Sequence, residues 1–96
     1  MELTIFARFH AQRGKESAVA EAVQQVVGES RQEPGCLGIQ GCRATRDPQW
    51  FFIHSRWVDE AAFELHATLP HTVRFLATVD ALVDTPREVM RTREIA

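Results

Sequence analysis

The sequence has no tyrosine, only two cysteines, and no apolar run approaching the roughly 20 residues of a membrane-spanning helix. No membrane association is therefore expected. Eleven basic residues against thirteen acidic ones leave a formal net charge of -2. No Lys/Arg cluster compensates, so there is no electrostatic reason to expect nucleic acid. The opening segment, MELTIFARFH, lacks a basic stretch followed by a sustained apolar one, so it does not read as a signal peptide and a cytoplasmic protein is expected. There is no G-x-G-x-x-G, no P-loop and no nucleophile-base pair, which leaves nucleotide cofactors unsupported. Without linker, repeat or low-complexity segment, residues 1–96 read as one domain. A domain this small buries only about two-thirds of its unfolded surface, so association often supplies the rest.

The cysteines do not read as a bridge. Cys36 and Cys42 lie six residues apart in a strand-like segment, which at about 3.3 Å per residue separates them by roughly 20 Å. A disulfide needs Cα atoms within about 7 Å. Two small, partly buried apolar groups are the simpler reading, since nothing beside either thiol resembles an activating base.

What the chain does have is concentrated between Trp50 and Phe75, which holds three of the four histidines, both tryptophans and four of the six phenylalanines. Before it, Glu2 to His10 alternates as a strand, with Leu3, Ile5, Ala7 and Phe9 on one face. From Lys15 the period becomes helical, with Val19, Ala22, Val23, Val26 and Val27 in one stripe. That helix must stop before Pro34. Leu37 to Thr45 reads as a second strand, in which Gly38 and Gly41 allow close approach of another backbone or a ligand. Arg46 to Gln49 is a turn, and the second strand pairs as a hairpin with Trp50 to Val58. Asp59 is a suitable N-cap for a helix to about Thr68, and Pro70 suits the first turn of a restarted helix. Val73, Leu76, Val79 and Val83 are the expected stripe of that second piece, and residues 87–95 the last strand.

The order is β-α-β-β-α-β, an α+β, ferredoxin-like arrangement with a four-stranded antiparallel sheet and its second helix broken near Pro70. Both helical units cover one face of the sheet. Yet Phe51 and Ile53 point one way, while Trp50 and Phe52 point the other. The second apolar face would exceed what soluble monomers usually expose, so a homodimer packed through the sheet face is expected.

With this order in view, the chain resembles the antibiotic biosynthesis monooxygenase family of dimeric α+β barrels. The resemblance is carried by Glu33-Pro34-Gly35-Cys36, Asp47-Pro48, the segment W-V-D-E-A-A-F-E-L-H from Trp57 to His66, then His71, Phe75 and Pro86. It covers essentially the whole chain. It implies a cofactor-independent monooxygenase acting with dioxygen on a quinol-like or polycyclic aromatic small molecule. Related barrels imply two alternatives, a haem-binding or haem-degrading protein and a non-catalytic small-molecule binder. Many family members carry Glu two residues before the Trp, and some use a tyrosine near the substrate; this chain has Ser55 and no tyrosine.

Oxygenation without metal or flavin needs an electron-rich substrate anion, hence a base, a donor for the anion and a dry wall. His66 is the candidate base, because imidazole as a side-chain type exchanges protons near neutral pH. His71 is the second candidate. Trp57 N–H or Arg56 would donate to an oxyanion, and Phe63, Leu65 and Phe75 would supply apolar wall. The spacing supports no metal site: His66 and His71 are five apart across a proline, and the sequence shows no third ligand.

Overall fold

The computed structural model describes residues 1–96. Strand β1 (Leu3–His10) leads into helix α1 (Glu16–Ser30), and β2 (Cys36–Arg43) pairs as a hairpin with β3 (Trp50–Trp57). Helices α2 (Glu60–Thr68) and α3 (Pro70–Asp80) follow, and β4 (Glu88–Thr92) closes the chain. The four strands form one antiparallel sheet in the order β2-β3-β1-β4, the ferredoxin-like topology. β1 lies between β3 and β4, so the alternation read at Leu3 to Phe9 sets one face of the sheet's interior.

That face is apolar because side chains alternate along a strand. Ala7 and Phe9 of β1 and Phe51 and Ile53 of β3 are buried there. Val19, Val23, Val26 and Val27 of α1 cover them, with Phe75 and Val79 of α3, in one core cluster. Each fully buried side chain of this size contributes about 1.5–3 kcal/mol. A smaller cluster of Leu3, Ile5 and Trp57 lies toward α2, with Ala62 and Phe63 packed on it.

Two glycines make the close packing possible. A Cβ at Gly41 would lie 2.5 Å from Val23 Cγ1, so α1 sits directly on β2 there. At Gly35 a Cβ would lie 2.5 Å from Ala62 Cβ, and α2 rests on the turn before β2.

The structure departs from the sequence reading in four places. β2 begins at Cys36 and ends at Arg43 rather than running from Leu37 to Thr45, and a register shift between Cys36 and Gly38 accompanies an exposed Leu37. β4 spans only Glu88–Thr92, because β1 begins at Leu3 and gives later residues little strand to pair with. The buried stripe of α3 is Thr72, Phe75 and Val79, while Val73 is exposed. Both stripes have helical spacings of three and four, and the packing of α3 on α1 selects the phase that turns Phe75 into the core. Val83 lies beyond the helix, in an isolated bridge to Ala11.

Candidate active site

The site grows from the helix-facing side of β3. Trp57 and Ser55 share that side, and Trp57 is fully buried. Its indole N–H donates to Ser55 Oγ at 2.9 Å. The chain then turns, and Asp59 caps α2 by accepting from the Ala62 backbone N–H at 2.9 Å. One helical face of α2 brings Phe63 and His66 back over Trp57. Their ring centroids lie 5.9 Å and 4.5 Å from the indole. Arg91 of β4 lies over the Phe63 ring at 5.2 Å and ties the strand to Glu60 of α2 at 2.9 Å.

At Leu69 the backbone becomes extended (φ -70°, ψ 148°), and Pro70 starts α3 at a position that needs no N–H. This break puts His71 beside His66 instead of a full turn beyond it, with ring centroids 6.1 Å apart. Between them comes a residue from far away in sequence. Glu33 follows α1 in a tight turn, in which its N–H donates to Ser30 O at 3.1 Å and its carbonyl accepts from Cys36 N–H at 3.0 Å. Glu33 Oε2 lies 2.7 Å from His66 Nδ1 and 2.7 Å from His71 Nε2. All three side chains are largely buried, and both imidazoles meet the same oxygen of Glu33.

The shared oxygen constrains the tautomers of the two rings. An ionised carboxylate only accepts, so both facing nitrogens must carry hydrogen. A neutral His66 ring bonded in this way holds its lone pair on Nε2, and a neutral His71 ring on Nδ1. Thr72 Oγ1, 3.3 Å from His66 Nδ1, is a weaker second acceptor for the same proton. His71 also borders a groove of about 430 Å³ between α1 and α3, with Ala22, Val26, Phe75 and Leu82 among its apolar lining and Arg74 beside it. That volume is in the range of small-molecule sites.

Residues 3–78 match the family model of antibiotic biosynthesis monooxygenases. The chain belongs to that family. Its fold is shared with a crystal structure described as an antibiotic biosynthesis monooxygenase, at TM-score 0.92 and 23% identity over 98% of this chain and 99% of that one. Rv0793 from Mycobacterium tuberculosis is similar at TM-score 0.94 and 20% identity, covering 100% of this chain and 97% of the other. PA3566 from Pseudomonas aeruginosa is 28% identical, with TM-score 0.91 and coverage of 99% and 95%. No curated protein matches the sequence.

Within this monooxygenase-family chain, the sequence-marked residues divide into groups. Trp57, Phe63, His66 and His71 come together. Phe75 lines the groove next to His71 while packing edge-on to Phe9 at 5.5 Å. Leu65 is 61% exposed on the outer side of α2. Arg56 points to the opposite face of the sheet from Trp57 and pairs with Glu2 at 3.3 Å. Because Arg56 and Trp57 are adjacent in a strand, one cannot share the other's face. With the indole N–H already given to Ser55, neither residue offers a donor to an anion beside His66. Sequence reasoning missed Glu33 and Thr72. The signal for Glu33 was its place in the Glu33-Pro34-Gly35-Cys36 turn, where it read as a fold marker rather than a polar group.

Proposed function

We propose that the protein is a cofactor-independent monooxygenase of a quinol-like or polycyclic aromatic small molecule. The observation that carries this reading is the convergence of two imidazoles on one buried carboxylate, with His71 bordering a small-molecule-sized groove, in a chain of the monooxygenase family. His66 is the base: Glu33 holds its Nδ1–H, which leaves Nε2 to take a proton from the substrate. His71, sharing Glu33 Oε2, orients the carboxylate and faces the groove. Trp57 and Phe63 provide the dry wall against the imidazole.

The chemistry balances without another reductant. Removing a proton from an activated CH2 leaves a carbanion that adds dioxygen. The resulting hydroperoxide loses water to give C=O. One oxygen atom ends in the product, the other in water, and all four electrons come from the substrate. Dioxygen uptake by metal-free protein with a panel of hydroquinones and anthrones tests this. Uptake by the wild type, and its loss in folded His66→Ala, is the expected result. No uptake with any substrate refutes the reading.

A homodimer through the open sheet face belongs to the same proposal. Phe6 (53% exposed) and Met90 (59%) sit opposite each other across β1 and β4, and the exposed Phe52 lies nearby on β3. Two such faces pressed together remove this patch from water. Light scattering is expected to give twice the chain mass for the wild type and the single mass for Phe52→Asp. A monomeric wild type at micromolar concentration refutes it.

A further inference from the structure

We infer that Glu33, His66 and His71 form a three-ligand site for a divalent first-row transition ion, with zinc as the best match. Glu33 Oε2, His66 Nδ1 and His71 Nε2 all lie within 4.8 Å of one another. Both imidazoles address the same carboxylate oxygen at 2.7 Å, so two nitrogen ligands and one oxygen ligand are already gathered in one small volume. Tetrahedral zinc, with bonds of about 2.0–2.1 Å, needs its ligand atoms about 3.3 Å apart. The two pairs involving Glu33 therefore have to open by about 0.6 Å, and the two imidazole nitrogens, within 4.8 Å of each other, have to settle at the same spacing, movements that side-chain rotation supplies. Two imidazoles and one carboxylate suit zinc, cobalt, nickel or copper and disfavour magnesium and calcium, which prefer oxygen ligands. A fourth position is left to water or to Thr72 Oγ1, 3.3 Å from His66 Nδ1.

The elements around the site add to its rigidity. His66 lies in the last turn of α2, His71 in the first turn of α3, and Glu33 is held by backbone hydrogen bonds at both ends of its turn. The ligands thus come from three separately anchored segments and gain from little further ordering. The sequence spacing conceals this, because the carboxylate lies 33 residues from His66 and 38 from His71.

Ion binding also has a consequence for the imidazoles. A metal on His66 Nδ1 moves the ring proton to Nε2, and one on His71 Nε2 moves it to Nδ1. The lone pair assigned to the base in the oxygenation reading then disappears. The site shares His66 with that reading, but its occupancy is measured independently of turnover.

The test is titration of metal-free protein with Zn2+ in competition with a chromogenic chelator, together with Co2+ absorption and ring-nitrogen NMR. One ion per chain is expected, with tetrahedral-type Co2+ bands and the ring protons of His66 and His71 moved as described. Glu33→Gln and His71→Ala, checked for folding by circular dichroism, are each expected to weaken Zn2+ at least tenfold. Zinc that binds equally well to both variants, or leaves both imidazoles unshifted, overturns the site, as does no binding at all. Zinc binding, with no dioxygen uptake by the metal-free protein, leaves the site standing and removes the oxygenase reading. Uptake without zinc binding does the reverse.

Discussion

Gly35→Ala adds one methyl group at the point where α2 meets the turn that presents Glu33. That methyl carbon would lie 2.5 Å from Ala62 Cβ and 3.6 Å from both Ala62 Cα and Val58 Cγ2. Ala62 has no rotamer to change, so relief requires backbone movement of about 1 Å or more to restore ordinary contact. Overpacking of this kind costs about 1–3 kcal/mol. The lower entropy of the unfolded alanine chain offsets only about 0.4–1 kcal/mol. A net loss of about 1–2 kcal/mol is expected, or roughly 4–16 °C in Tm for a domain of this size. Gly28→Ala is the control, since it is exposed on α1 with nothing within 4 Å of its added carbon. There the same chemical change is expected to stabilise by about 0.5–1 kcal/mol, because glycine is a poor helix residue. Urea denaturation of both variants at equal protein concentration reads the two signs. A Gly35→Ala protein as stable as the wild type would refute the contact between α2 and the turn.

Asp59→Ala removes the side chain that caps α2 and is expected to cost about 1 kcal/mol in urea denaturation; no loss would deny the cap a role. Ser55→Ala leaves the fully buried indole N–H of Trp57 without its partner, at an expected cost of about 1–3 kcal/mol. An unchanged denaturation midpoint would show that the hydrogen bond contributes nothing net. Burial holds the Cys36 thiol above its ordinary pKa, with the Glu33 charge adding to the rise and a backbone hydrogen bond and Arg31 opposing it. The folded chain therefore keeps that proton to higher pH than the unfolded chain, and this contribution to stability is lost as pH rises past the ordinary thiol range. At pH 8 Cys36 is expected to alkylate with iodoacetamide more slowly in the native protein than in urea, by peptide mapping. Equal rates would refute the protection.

The local rules of the chain were open to reading in its residues. Alternation from Leu3 to Phe9 specified a strand and its buried face, since side chains of a strand change sides at every residue. Asp59 and Pro70 marked two helix starts, because each satisfies or lacks a backbone hydrogen bond that position makes available. The same rule placed Trp50 and Phe52 away from Phe51 and Ile53. Where a neighbour intervened, local pattern was insufficient. Leu37 came out exposed at a register shift, the short pairing range of β1 ended β4 at Thr92, and the phase of α3 buried Thr72 rather than Val73.

The polar centre belongs to tertiary structure. His66 and His71 stood out by residue type, but their five-residue spacing suggested no shared partner until the extended Leu69 folded one imidazole toward the other. Glu33 reaches them because α1 returns across the sheet and Gly35 lets α2 close over the turn. No periodicity of three, four or two residues encodes a contact 33 residues long. Periodicity reports which side of its own element a residue occupies, and which elements meet is decided by how the helices pack on the sheet.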